Sequence, residues 1–157
     1  MRISLFAVGA IWSLAAPVLA QNASLPEGRL TLFAGNNQAA NFIIEDSIRR
    51  EGDQVKVATF RVYADEIPVT GGSIAYDTTR MVIDCSARTV SQVAVDAFLA
   101  SGRRVTGLGP EPAMPIRANE TWDFVARVVC DGVRFGPEAT VVGYQAARTL
   151  ALARIRP

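Results

Sequence analysis

The chain has 157 residues, 16 basic and 15 acidic side chains, 50% hydrophobic residues and no histidine. A near-neutral chain without a basic block lacks the electrostatic footprint of a nucleic-acid-binding protein. The missing histidine removes the commonest general base, the commonest zinc ligand and the usual partner of a serine or cysteine nucleophile, so neither metal, cofactor nor catalytic residues are expected.

Met1-Arg2 opens the chain, and residues 3–19 carry no charge before Val18-Leu19-Ala20. That is the layout of a secretory signal peptide over 1–20, cut before Gln21. No cysteine stands at or just after the cut. The expected product is therefore exported, periplasmic or extracellular, not lipid-anchored, and it meets a membrane only through the signal peptide. Residues 21–28, "QNASLPEG", read as a flexible lead.

"RLTLFA" (29–34) is a short strand candidate followed by the loop composition "GNNQAA". Phe42 to Ile44 read as strand, Asp46-Ser47 as the start of a single helical turn through Arg50, and Gly52-Asp53 as a turn. Val55 and Val57 alternate with polar residues into a strand through Tyr63. "DEIPVTGG" (65–72) reads as a loop and "SIAYDTTRMVIDC" as a long strand ending at Cys85. "SQVAVDAFLASGRRVTG" suggests a hairpin with Val93, Val95 and Ala97 on one face and its turn at Ser101-Gly102. "LGPEPAMP" is an irregular loop. Trp122, Val125, Ala126 and Val129 then fall on one helical face, with Asn119 as its N-cap and Gly132 as its end. Val141, Ala146, Leu150 and Ile155 form a looser stripe for a second helix.

This order predicts an α+β fold: an antiparallel sheet of about five or six strands with one or two helices against one face and one disulfide. The domain is expected over 29–132, with 133–157 as a helical C-terminal extension.

Cys85 and Cys130 are the only cysteines, and an even count in an exported chain points to a disulfide. Asp84 and Arg88 beside Cys85 suggest a local ion pair. Arg49-Arg50 and Arg103-Arg104 sit in turn regions and form a candidate binding patch for an anionic surface. Trp122 is expected in the core. A carboxylate pair acting on glycan requires Asp84 beside Asp65 or Glu66, which no spacing here supplies.

The stretch from Phe42 through Asp46-Ser47-Ile48-Arg49-Arg50, Gly52, Val55 and Val57 is followed by Asp84-Cys85 and Arg88, then Gly102, Val105 and Cys130. In order and spacing it resembles the surface-adhesin protein E family of bacterial exported domains. The resemblance spans about residues 29–132. It implies an antiparallel sheet carrying a helix, stapled by the disulfide, with self-association as a further property. It also implies binding of host matrix and serum proteins, the activity of the family's named member.

The functional expectation is an exported, non-enzymatic binding module with a protein or glycan partner at the cell envelope or host surface. A small self-associating structural or stress-related envelope protein, a homodimer, is the second reading. A carboxylate-based glycan-acting enzyme is the third.

Overall fold

The longest strand shows how two cores arise from one sheet. Along residues 54–69, Val55 and Val57 point to one face while Phe60 and Val62 point to the other, and all four are buried. The computed structural model describes residues 25–155; the expected signal peptide and the first residues of the lead lie outside the described residues.

The elements run β1 (Arg29–Gly35), β2 (Ala39–Glu51), β3 (Gln54–Val69), β4 (Gly72–Asp84), β5 (Thr89–Leu99), β6 (Arg104–Leu108) and β7 (Met114–Pro115). They continue with α1 (Thr121–Val129), a short 3-10 turn (Pro137–Ala139), β8 (Thr140–Val142) and α2 (Tyr144–Ile155). The antiparallel sheet has eight strands in the order β6-β5-β4-β3-β2-β1-β8, with β7 pairing β5 off this path. It is larger than the five or six strands expected. The additions are two-residue β7 and three-residue β8, both too short to leave a period in the sequence.

The two helices cover opposite faces rather than one. Helix α1 packs Val125, Ala126 and Val129 over Ile43, Val55, Val57, Met81, Ile83 and Val90. Helix α2 packs Tyr144, Ala147, Ala151 and Ile155 over Phe42, Phe60, Val62, Tyr76 and Phe98. Tyr76 is the hub of this second core, with ring centroids 5.0 Å from Phe98, 5.0 Å from Tyr144 and 5.2 Å from Phe60. Each helix sits toward a different end of the long strands, so two diagonal half-faces of the sheet have no helix over them.

Several local expectations are corrected. Residues 46–50 are not a helical turn but part of β2, at a break in register between Ile44 and Arg49. There the Ser47 hydroxyl donates to the Ile44 carbonyl at 2.6 Å and accepts from the Ala58 N–H at 2.8 Å, standing in for a lost ladder bond. Residues 65–69 continue β3 instead of looping. The β2–β3 ladder ends at the Ala39–Tyr63 pair, so Pro68 lies beyond it, where its missing N–H breaks no rung of that ladder. Val93 leaves the face of Val95 and Ala97, because it is skipped between the Arg80–Ala94 and Met81–Gln92 pairs and is 42% exposed. Asn119 is not the N-cap: it has φ 65°, Glu120 takes that position, and the Asp123 carboxylate accepts the Asn119 N–H at 3.1 Å. The expected helical extension begins instead with β8 on the free edge of β1. Gly143, at φ 80°, then redirects the chain into α2. Val141 therefore lies on a strand, and the buried stripe of α2 runs through Tyr144, Ala147, Ala151 and Ile155.

Cys85, just past β4, and Cys130, at the C-cap of α1, form the disulfide, with Cα atoms 5.5 Å apart across 45 residues of sequence. Closing a loop of that length stabilises the fold by about 4 kcal/mol in the chain-entropy treatment. The double variant Cys85→Ala/Cys130→Ala is expected to lose about that much in urea unfolding relative to the oxidised protein. An unchanged unfolding midpoint would show that α1 is held by packing alone.

Candidate functional site

Four polar side chains meet on the half-face that α1 leaves open. Asn41 on β2, Arg61 on β3 and Asp77 on β4 are direct cross-strand partners, so the register alone sets them in a row. Tyr63 follows Arg61 on the same face, at the start of the irregularity between Val62 and Ile67. The Arg61 Nε donates to Asn41 Oδ1 at 3.0 Å, and the Tyr63 hydroxyl donates to Asp77 Oδ2 at 2.5 Å. An Arg61 terminal nitrogen lies 4.0 Å from the same Asp77 oxygen.

Asp77 is buried, and desolvation pushes its carboxyl above the usual carboxylate range, while the Tyr63 hydroxyl and the Arg61 charge pull the other way. Tyr63 is pushed up to about 12, first by burial and then by its hydrogen bond to Asp77. Above this row opens a cleft of about 560 Å³. Its floor includes Asn41, Arg61 and Tyr63, its walls the β1–β2 turn at Asn36 to Gln38, and its far side Thr121 at the start of α1. The turn is fixed by the Asn36 side-chain oxygen, which accepts from the N–H groups of Gln38 and Ala39 at 2.8 and 3.0 Å.

The residues singled out in the sequence do structural work elsewhere. Asp84 and Arg88 do not pair. Asp84 accepts from the Ala87 N–H and the Ser86 hydroxyl, which hold its carboxyl below the usual range. Arg88, at φ 51° in the same turn, reaches α1 instead, donating to Asp123 at 2.8 Å and to Asp131 at 3.2 Å. The four turn arginines do not form one patch, because the β2–β3 and β5–β6 turns lie at opposite ends of the sheet. Arg50 donates to the Val129 carbonyl at the end of α1, a favourable place for a cation. Arg103 donates to the Gly71 carbonyl at 2.9 Å and Arg104 to Asp96 at 2.6 Å, while Arg49 bonds the neighbouring Ile48 carbonyl. Asp84 pairs with Gln54 at one end of β3 whereas Asp65 lies near the other. Those carboxylates are about 35 Å apart at roughly 3.3 Å per residue, too far to share a glycosidic bond. Among the described residues no group of three His, Cys, Asp or Glu side chains is arranged to hold a metal ion. No helix among them is long and apolar enough to cross a membrane.

In the sequence Asn41, Arg61, Tyr63 and Asp77 are inconspicuous, because they sit within strand-forming stretches on different parts of the chain. One signal was available: an aspartate in mid-strand, where that residue is depleted, marks a carboxylate held for a reason.

The model of the surface-adhesin protein E family matches residues 30–131, well over half of the chain. The chain belongs to that family. The match ends before β8 and α2. The fold is also that of Haemophilus influenzae protein E. Its crystal form II structure superposes with a TM-score of 0.53 at 15% identity, covering 70% of this chain and 92% of that one. The selenomethionine form gives 0.52 at 14% identity, covering 69% and 90%. No curated protein sequence matches significantly.

Two titrations check this site. Because the folded pKa of Asp77 lies above its unfolded value, its contribution favours folding below the unfolded pKa and is lost as pH rises through the folded one. Asp77→Asn, which keeps an acceptor for Tyr63, is expected to gain stability relative to the parent as pH rises from 3 to 7. A constant difference in urea midpoints across that range would contradict the burial argument. All three tyrosines are raised, Tyr63 and Tyr76 to about 12 and Tyr144 in direction, chiefly by burial. Difference absorbance is expected to show much less phenolate at pH 10.5 in the folded chain than in the urea-unfolded chain. Phenolate absorbance equal to that of the unfolded chain, with native circular dichroism at that pH, would place the rings in water.

Proposed function

We propose that the chain is an exported, non-enzymatic binding module of the bacterial envelope, adhesin-like, with a protein or glycan partner at the envelope or host surface. The reading is carried by the cleft over Asn41, Arg61 and Tyr63, a concave polar surface whose floor is built on paired strands. Membership of a family described as surface adhesins supports the same direction. The fixed geometry suits recognition, since Tyr63 and Arg61 are both oriented by a buried carboxylate. Of the turn arginines, Arg50, Arg103 and Arg104 are engaged in contacts within the chain.

A second reading, self-association into a homodimer, is favoured by the other open half-face. There a groove of about 290 Å³ over Ala58, Met81, Val82 and Val93 is mostly apolar, and Val93 projects from its rim. Arg80 and Lys56 border it.

Oxidised protein spanning residues 21–157, immobilised and exposed to envelope and host-matrix extracts, is expected to retain a partner other than itself. Recovery of nothing but the chain would exclude the binding-module reading. In light scattering across a concentration series, a single monomeric mass would exclude the homodimer.

A further inference from the structure

The polar cleft fixes more than the fact of binding. Asp77 accepts the Tyr63 proton and Arg61 donates toward the Tyr63 oxygen, so that oxygen keeps one further lone pair as an acceptor beside the cleft. Asn41 gives its carbonyl oxygen to Arg61 Nε, so its amide N–H₂ is left as a donor. The Arg61 guanidinium directs part of its terminal N–H groups to Asp77 and Tyr63 and keeps the others for the cleft, and its side chain is 38% exposed. Gln38 and Asn37 add groups that can donate and accept. The floor therefore alternates fixed donors with a fixed acceptor at neighbouring strand positions. Hydroxyls on adjacent carbons satisfy that pattern, because each donates once and accepts twice.

Charge decides against the other ligand classes. The one cation of the floor faces the buried Asp77 carboxylate, so the site has no net positive field for phosphate or sulfate. An apolar peptide side chain would leave the donors of Arg61 and Asn41 dry and unpaired, which is costly. Ile67, 41% exposed on the rim, offers an apolar surface suited to the C–H face of a sugar ring. The volume of about 560 Å³ falls among ordinary small-molecule sites and has room for more than one pyranose ring.

We infer that the Asn41–Arg61–Tyr63 cleft binds a neutral oligosaccharide, with Asp77 as the buried residue that positions Tyr63 and Arg61. This rests on the binding-module reading and names its ligand class.

The test is a neutral oligosaccharide array probed with oxidised protein, followed by calorimetry with the best-retained oligosaccharide, its monosaccharide unit and a sulfated oligosaccharide of equal length. The neutral oligosaccharide is expected to bind more tightly than either. Arg61→Ala is expected to weaken it tenfold or more and Tyr63→Phe several-fold. Arg80→Ala, on the opposite face, leaves it unchanged, and the variants' thermal midpoints establish that they are folded. An empty array, preference for the sulfated compound, preference for the monosaccharide, or equal affinity in folded Arg61→Ala would each overturn the inference. A protein partner captured equally by the parent and by Arg61→Ala, from glycosidase-treated extract, would sink the saccharide assignment while leaving the binding-module reading standing.

Discussion

Everything in this fold depends on the antiparallel ladder of β2, β3 and β4, whose side chains alternate between two separate cores. One face receives Ile43, Val55, Val57, Met81 and Ile83; the other receives Phe42, Phe60, Val62 and Tyr76. A one-residue slip of β3 would exchange the two sets and place Arg61 against α2. The register that closes both cores is therefore the same one that lines up Asn41, Arg61 and Asp77. Site and stability are two readings of a single alignment.

The two helices are attached by different physics. Helix α1 has an amphipathic face, a disulfide at its end, Arg88 bridging to Asp123 and Asp131, and Arg50 on its last carbonyls. Helix α2 is alanine-rich and holds its place by burying small side chains against an aromatic cluster. In that cluster the Tyr76 and Tyr144 hydroxyls are buried without a hydrogen-bond partner among the described residues. Such groups cost stability, so the second core relies on ring packing to offset them.

The sequence made the compositional and periodic features legible. The α1 face, the Gly52 turn, the long β4 and the Cys85–Cys130 link all follow from spacing or from elimination. Ser47 misled because a serine after an aspartate reads as a helix start, whereas here its hydroxyl patches a bulge. Arg88 misled because its nearest acid in sequence, Asp84, is held by its own turn, while its partners come from 35 and 43 residues away. The cleft was illegible for the same reason. Its residues lie on three strands, and only the cross-strand register, which one sequence does not display, makes them neighbours.

The pairing of β1 with β8 has a mechanical consequence. Arg29 lies opposite Val142, so the start of the first strand and the end of the last sit side by side. A pulling force applied through the chain ends first peels α2 and then reaches that pair, opening it like a zipper, one bond at a time, rather than shearing all its bonds together. Helix α2 follows β8 and has no covalent tie. Cys85–Cys130, by contrast, keeps the intervening chain, with β5 and α1, from being drawn out under load. A tethered molecule of this design yields from its C-terminal end while α1 and the α1 end of the cleft stay anchored.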